Sequence, residues 1–168
     1  DTQRPFILSR SGTAGSQRYG VAMWSGDISG VPSSLATQFN AQMHMSMSGV
    51  DYYGSDIGGF YRDNYTLEQA YTPWFAASMF TDVPGRAHAF NLGNWTETAP
   101  DRVGDRASNL QNIRLRYELV PYVYSLAHRA YRFGEPVVPP LVYYYPDDPA
   151  VREMGGEKLL GRDLLAAA

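Results

Sequence analysis

Residues 50–60 indicate the fold class, and they read Val50-Asp51-Tyr52-Tyr53-Gly54-Ser55-Asp56-Ile57-Gly58-Gly59-Phe60. The run over residues 50–54 is short and apolar, which is typical of a buried strand. The rest of the stretch is a glycine-rich loop that carries one carboxylate. Residues 5–9 and 19–24 are runs of the same kind, and each passes into a loop of small residues. The three runs therefore predict three short strands with loops at their exits.

Helical patterns lie between and after these strands. Residues 32–48 begin with a proline, carry an apolar residue at every fourth position from Leu35 to Met47, and precede Gly49, as expected of a helix and its end. Capping boxes predict two more helices, one over residues 67–80 after Thr66 and one from Ser108 to about residue 133.

The remaining segments complete a regular order. Residues 81–107 predict a long loop, and residues 136–145 predict a last strand. Strands that alternate with helices are typical of βα units around a parallel sheet. In such α/β folds the functional side chains follow the carboxyl ends of the strands.

Composition excludes several function classes. Lys and Arg number 14 against 17 Asp and Glu, a formal net charge of -3 without a basic run, so the charge that nucleic-acid binding needs is missing. No apolar run approaches the roughly 20 residues of a membrane span. The absence of cysteine excludes disulfides, thiolate metal sites and a cysteine nucleophile.

The aromatic content is high and the charge density is low. The chain holds 13 Tyr, 7 Phe and 3 Trp, and only 18% of its residues are charged, below the usual value of about 25%. Flat, weakly charged surfaces suit sugars, whose C–H faces stack on rings. The same rings can equally fill a core or an interface, and composition alone favours neither interpretation.

Two candidate residues follow the first two strands. Trp24-Ser25-Gly26-Asp27 places a carboxyl group beside an indole, which removes water and raises a carboxyl pKa as a general acid requires. An aspartate that caps a loop beside a core tryptophan is the commoner arrangement. Arg10 follows the first strand, where a buried cation needs an anionic partner, and a structural salt bridge is the commoner reason for it.

Asp56 and His88 are further candidates. Asp56 could hold a substrate, although accepting hydrogen bonds from the glycine amides that follow it is the commoner role. His88 lies in Arg86-Ala87-His88 within the predicted long loop and could hydrogen-bond a sugar hydroxyl, although a single loop histidine is more often incidental. The 3 histidines are scattered, without the paired spacing of metal ligands.

The end of the sequence is also apolar. Residues 158–165 predict one further strand, and the sequence stops shortly after it, in Ala166-Ala167-Ala168. A self-contained domain rarely ends on an apolar strand. We therefore expect a fragment of a longer protein.

Taken together and in order, these segments resemble family 31 of the glycoside hydrolases, the α-glucosidase and α-xylosidase family. The resemblance extends over almost the whole chain. The segments that carry it are Arg4–Ser11 with Gly15–Tyr19, Trp24–Asp27, Gly54–Phe60, Arg86–His88, Pro121–Tyr124 and Leu160–Leu165.

The resemblance implies a fold and a division of the chain. The fold is an α/β fold, half of a (β/α)8 barrel. Residues 1–145 would supply about strands five to eight of that barrel, as a fragment or as a half barrel that assembles. Residues 146–168 would begin the β domain that follows the barrel and would be truncated.

The resemblance also implies roles for individual residues. Asp27 would be the general acid/base, and no metal or organic cofactor is implied. The other residues would surround the sugar: Arg10 holding a hydroxyl and positioning the carboxylates, Trp24 and Phe60 lining the −1 subsite, His88 hydrogen-bonding the sugar, and Asp56 shaping the loop that carries Phe60.

The sequence departs from the family pattern in three places. A retaining glycosidase needs a second carboxylate about 5–5.5 Å from the acid, as nucleophile, and the family's Trp-x-Asp-Met-Asn-Glu-like motif for it is absent from these 168 residues. Met23 stands where many members have histidine. Pro139-Pro140-Leu141 stands where Arg-Pro-Leu is usual.

Two functions follow from the resemblance and its departures. The first is a retaining α-glycosidase, best matched by an α-glucosidase acting on oligosaccharides or α-glucosides by double displacement, in which this chain supplies the acid/base and the rest of the barrel supplies the nucleophile. The alternative is an inactive half barrel that binds sugar or self-associates through its open face. Neither function involves nucleic acid or a membrane.

Overall fold

The computed structural model describes residue 3 and residues 5–61, 67–90 and 97–167, with the side chains at 67 and 68 excepted. Its strands are β1 (Ile7–Ser9), β2 (Val21–Trp24), β3 (Tyr53–Gly54), β4 (Glu157–Leu160) and β5 (Leu164–Ala167). Its α-helices are α1 (Pro32–Met47), α2 (Leu67–Thr81) and α3 (Arg106–Phe133). Short 3-10 turns cover Ser16–Tyr19, Leu141–Tyr143 and Pro149–Val151.

The first three strands form a parallel sheet in the order β1-β2-β3. Ile7 lies opposite Val21, and Trp24 lies opposite Gly54. Parallel neighbours need a crossover connection, and α1 provides it between β2 and β3. The sheet continues by one parallel bridge between Asp56 and Arg86. The prediction of βα units around a parallel sheet is confirmed, and within the described residues the sheet does not close into a barrel.

Two apolar clusters join the helices to this sheet. Val21, Met23, Val50 and Tyr53 are buried together against α1. The larger cluster contains Ile57, Tyr71, Trp74, Phe75 and Val103, with Ile113 of α3 packed against it. Tyr71, Trp74 and Phe75 are spaced three and four apart on one face of α2, as expected of a helix that buries a single stripe. This packing fixes α2 beside the loop that leaves β3.

Residues 136–145 are not a strand, so that prediction is wrong. Three prolines in this segment lack the N–H that a sheet ladder requires, and the chain instead forms turns and the 3-10 turn Leu141–Tyr143. The fourth parallel segment lies inside the predicted loop, where the N–H of Val83 donates to Tyr53 O and that of Ile57 donates to Arg86 O. This segment pairs through only a few residues. Its sequence accordingly has no apolar run long enough to predict a strand.

Two further predictions change in detail. The apolar end of the chain is the antiparallel hairpin β4–β5 rather than one strand, because Gly161 takes a φ of +62° and reverses the chain. Helix α3 is capped by Asp105, whose side chain accepts from the amides of Ala107 and Ser108, and not by Ser108. Gly134 caps the end of α3, in agreement with the predicted end at about residue 133. Thr66 lies outside the described residues.

None of the helices described is both long enough and apolar enough to pass through a lipid bilayer.

The loops that leave β2 and β3 are paired through their backbones. The amides of Phe60 and Tyr61 donate to Ile28 O at 2.8 and 3.0 Å, and the amide of Gly30 donates to Tyr61 O at 2.7 Å. Gly59, at φ +79°, lies so close to Gly30 that a Cβ there would overlap the Gly30 backbone. The pairing therefore depends on glycine at both positions.

The variant Gly59→Ala should lower the free energy of unfolding by about 2–5 kcal/mol, the sum of a left-handed backbone cost and an overpacking cost. Urea denaturation measures it. The matched control is Gly15→Ala, because Gly15 also has a positive φ, but beyond its two chain neighbours no atom of the described residues lies within 4 Å of its Cβ position. In the control the free energy of unfolding should fall only by the cost of the left-handed backbone, about 1–2 kcal/mol. Equal decreases in the two variants would show that the contact with Gly30 has no effect.

Candidate active site

Polar side chains follow each strand of the parallel sheet at one edge. Arg10 directly follows β1, Asp27 follows β2 after Ser25-Gly26, and Asp56 follows β3 after Ser55. Arg86 and His88 leave the segment that pairs beyond β3. Because the carboxyl ends of parallel strands meet at the same edge, side chains that are far apart in sequence share one location.

Arg10 and Asp27 face each other across Gly26. Arg10 Nη2 lies 3.7 Å from Asp27 Oδ1, and the side chains are 61% and 31% exposed. Gly26 has a φ of +76°, and a Cβ there would lie 2.8 Å from Arg10 Nε, so glycine lets the guanidinium cross the loop. An ion pair this exposed adds little stability. Its groups are instead accessible to a ligand.

Asp56 is the buried carboxylate of the site. It has no exposed surface, and Arg86 Nη1 donates to its Oδ1 at 2.9 Å. Burial raises the pKa of Asp56 to about 6, an effect that the Arg86 charge opposes and the Asp27 charge reinforces. The second oxygen, Oδ2, has no hydrogen-bond partner among the described residues. Buried polar atoms without a partner are uncommon in folded proteins and can mark a functional position.

Arg86 joins Asp56 to Trp24. Its guanidinium carbon lies 4.5 Å from the centre of the Trp24 ring, within the range of a cation–π interaction. The Trp24 indole Nε1 is buried and has no acceptor in the described part of the chain. Arg86 therefore fixes a carboxylate and an aromatic ring, and each of them has one hydrogen-bonding group without a partner among the described residues.

Aromatic rings surround His88. The Phe60 ring centre lies 5.4 Å from that of His88, 5.5 Å from that of Phe90 and 5.0 Å from that of Tyr61. Burial lowers the pKa of His88, the Arg86 charge lowers it further, and the Asp27 charge opposes both. A neutral imidazole presents one donor and one acceptor, which suits a sugar hydroxyl.

The structure brings together all the residues that the sequence nominated. Arg10 contacts Asp27, whose charge acts on Asp56 and His88, and His88 packs on Phe60. Trp24 is joined to the group by Arg86. Sequence reasoning missed Arg86 as a site residue, although the Arg86-Ala87-His88 segment contained it. Phe90 was missed as well, because nothing in its local sequence distinguishes it.

Over the described ranges no three histidine or acidic side chains gather where they could hold a metal ion.

Comparison with known proteins gives consistent matches. The family described as "Glycosyl hydrolases family 31 TIM-barrel domain" matches residues 1–126. An alpha-xylosidase of Saccharolobus solfataricus is 34% identical over 166 residues, and the neutral alpha-glucosidase C of Homo sapiens is 36% identical over 165 residues. Each alignment covers 97% of this chain. The chain spans only 22% and 17% of the length of these two relatives.

Solved structures agree with the sequence matches. A GH31 alpha-xylosidase from a soil metagenome, complexed with xylose, is 28% identical with a TM-score of 0.88, over 99% of this chain and 28% of the other. A GH31 alpha-xylosidase from Xanthomonas citri is 33% identical with a TM-score of 0.81, over 96% of this chain and 19% of the other.

The Asp56–Arg86 pair predicts a pH-dependent loss of stability. Arg86→Gln leaves a buried carboxylate without its cation, so the free energy of unfolding at pH 8 should fall by about 3 kcal/mol or more. Removing Arg86 also raises the pKa of Asp56 further above about 6. The loss should therefore shrink as the pH falls, because a protonated Asp56 needs no counter-ion. Urea denaturation between pH 5 and 8 measures it.

The matched control is Arg102→Gln. Arg102 Nη1 lies 3.2 Å from Glu97 Oε2, but these side chains are 69% and 41% exposed, and exposed pairs contribute little. The control should leave the urea midpoint nearly unchanged at every pH. A pH-independent loss in Arg86→Gln would contradict the expected role of the Asp56 charge.

Proposed function

The chain belongs to glycosyl hydrolase family 31, and from that premise we propose that it supplies the acid/base side of the active site of a retaining α-glycosidase. One observation carries the proposal. Asp27 leaves β2 beside the exposed guanidinium of Arg10, on the same edge as the buried carboxylate of Asp56 and the imidazole of His88. The substrate would be an α-glycoside of an oligosaccharide.

Asp27 would act in both steps of a double displacement. In the first step its carboxyl group protonates the glycosidic oxygen while a nucleophile attacks the anomeric carbon and the C–O bond breaks. In the second step its carboxylate removes a proton from water, which displaces the nucleophile. The family's nucleophile motif is absent from this sequence, so the nucleophile would come from protein outside these residues.

The remaining side chains would bind the sugar. Asp56 Oδ2 and the imidazole of His88 would each hydrogen-bond one hydroxyl, and Arg10 would hold another beside Asp27. Phe60 and Trp24 would stack on the apolar face of the ring. Two observations support these assignments: Asp56 Oδ2 has no hydrogen-bond partner among the described residues, and the His88 ring packs on Phe60.

We propose an α-glucoside as substrate in preference to an α-xyloside. Relatives named for both activities match this chain at 34% and 36% identity, so similarity alone does not separate them. Parts of the protein outside this chain would contribute to the choice. A panel that contains both aryl glycosides therefore belongs in the first assay.

The three parallel strands and the segment at Arg86 would be strands five to eight of a (β/α)8 barrel within residues 1–145. Residues 146–168, which contain the hairpin β4–β5, would begin the next domain. Support comes from the parallel order of the sheet and its continuation at Asp56 and Arg86. The missing strands would pair with the open edge of β1.

A second candidate function is a binding module that associates through this open edge. The exposed apolar side chains on and beside β1 favour it. Among the described strands β1 pairs only with β2, and Phe6, Ile7 and Leu8 expose large apolar surfaces, 68% in the case of Phe6. An unpaired apolar edge is a template for another chain. It could accept the rest of the barrel or a second copy.

Asp27→Asn tests the proposed chemistry. In a protein that contains this chain with the rest of the barrel, it should slow hydrolysis of an unactivated α-disaccharide by about 100-fold or more, the usual contribution of a general acid. The effect on nitrophenyl α-glucoside should be smaller, because the leaving group departs as the stable nitrophenolate anion and needs no proton from Asp27. Product release by chromatography and absorbance measures both rates.

Asp147→Asn is the matched control, since it makes the same change at an exposed position, and it should retain full activity. The 168-residue chain alone should bind glucose without turnover. If the isolated chain turns substrate over, trapping with a fluoroglycoside and mass spectrometry would locate the nucleophile on it and refute the proposal that it lies elsewhere. Unchanged disaccharide hydrolysis by Asp27→Asn would refute the acid/base role.

The open edge predicts concentration-dependent self-association of the isolated chain. Ile7→Lys places a charge on the edge of β1 and should shift the chain toward monomer in analytical ultracentrifugation. Tyr19→Ser removes another exposed apolar side chain, outside the strands, and should leave the distribution unchanged. Equal effects of the two variants would indicate non-specific aggregation instead.

A further inference from the structure

We propose that Lys158 is a positioning residue for the candidate site, acting through Gln42 and Asp82 on the backbone that carries Asp56. The network that connects these residues lies behind the site, between the hairpin β4–β5, the helices α1 and α2, and the exit of β3. The inference rests on the proposed function only in assigning a sugar ligand to Asp56. The contacts within the network are independent of that assignment.

Lys158 is the sole lysine of the sequence, and it is buried, with 2% of its surface exposed. Its Nζ donates to Gln42 Oε1 at 2.5 Å and lies 3.6 Å from the centre of the Phe39 ring. Lysine is almost never fully buried unless it is paired. The position on β4 therefore requires a counter-charge inside the fold.

Asp82 provides that counter-charge at the end of α2. Its Oδ1 accepts from Gln42 Nε2 at 3.2 Å, so Gln42 connects the lysine to the carboxylate. Burial raises the pKa of Asp82 to about 6, and the Lys158 charge is the strongest of the effects that oppose the rise. Burial also lowers the pKa of Lys158 to about 8, which the Asp82 charge opposes. Each charge thus favours the ionised form of the other.

The other oxygen of Asp82 holds the exit of β3. Asp82 Oδ2 accepts from the Ser55 amide at 3.3 Å and from the Ser78 hydroxyl at 2.9 Å. Ser55 Oγ in turn accepts from Trp74 Nε1 at 2.8 Å. Ser55 directly precedes Asp56 in the sequence. The peptide that carries Asp56 is therefore held from behind by Asp82, while Arg86 holds its side chain in the site.

The hairpin does not need the ammonium group to stay in place. The amides of Leu159 and Gly161 donate to Pro139 O and Val137 O at 3.0 and 2.8 Å, and the Tyr122 hydroxyl donates to Leu160 O at 2.8 Å. Leu160 is also buried in an apolar cluster. An apolar side chain at 158 could pack on Phe39 equally well. We therefore attribute the positive charge at position 158 to its interactions with Gln42 and Asp82 rather than to the docking of the hairpin.

The test compares Lys158→Met in two backgrounds, the natural chain and Asp82→Asn. In the natural background it should move the amide signals of Ser55 and Asp56 in ¹⁵N NMR spectra and weaken glucose binding by about tenfold, within the range for residues that share one network. In the Asp82→Asn background the same substitution should change neither quantity, because the carboxylate charge through which Lys158 acts is already removed.

The control is Arg162→Met, which removes a positive charge from an exposed position in the same hairpin and should leave both readouts unchanged. If Lys158→Met alone fails to fold, the comparison of Asp82→Asn with Lys158→Met/Asp82→Asn still tests whether Lys158 acts only through Asp82, since the double variant buries no unpaired charge. Equal effects of Lys158→Met in both backgrounds, or further movement of the Ser55 and Asp56 signals in the double variant, would overturn the proposal.

The two proposals fail in different ways. If the natural chain does not bind glucose, the assignment of the sugar site fails, while the Ser55 and Asp56 signals still test the role of Lys158. If glucose binds but those signals and the affinity are the same in folded Lys158→Met and the natural chain, the positioning role fails alone.

Discussion

The parallel hydrogen bonding between β1, β2 and β3 continues beyond the carboxyl ends of the strands into the loops that follow them. Two further parallel bridges, one between Ser29 and Tyr61 and one between Asp56 and Arg86, continue this pairing beyond the strands. This extension is possible only where backbones can approach closely, as they do at Gly30 and Gly59. The side chains on these loops are consequently as well positioned as those on the strands, which a binding site requires.

The two carboxylates at this edge have opposite surroundings. Asp27 is partly exposed beside an exposed guanidinium, whereas Asp56 is fully buried beside a guanidinium that also stacks on Trp24. Pairs of titratable groups in different environments are how acid and base roles are divided in enzymes. An accessible Asp27 suits proton exchange with a ligand and water, and an enclosed Asp56 suits a fixed contact with a hydroxyl.

Local sequence patterns predict the first half of the fold well. Short apolar runs locate β1, β2 and β3, and four-residue spacing locates α1, because each signal lies within one element. The segment near Arg86 could not be predicted as a strand, because it pairs through single bridges rather than a ladder. The contact of Lys158 with Gln42 could not be predicted for another reason. The two residues are 116 positions apart, and only the folded chain brings them together. The sequence nominated Asp27, Arg10 and His88 and the family resemblance gave them roles, but their distances required the structure.

The contact between Lys158 and Gln42 also has a consequence for the order of folding. Contacts between distant residues form late, because a long loop must close before they are gained. During synthesis, α1 and the exit of β3 leave the ribosome well before β4 does. Asp82 therefore lacks its ammonium partner until residue 158 has emerged, and under the proposed role of Lys158 the peptide before Asp56 is held less firmly until then. If Lys158 positions this peptide as proposed, nascent chains that end before residue 158 would bind sugar more weakly than longer chains.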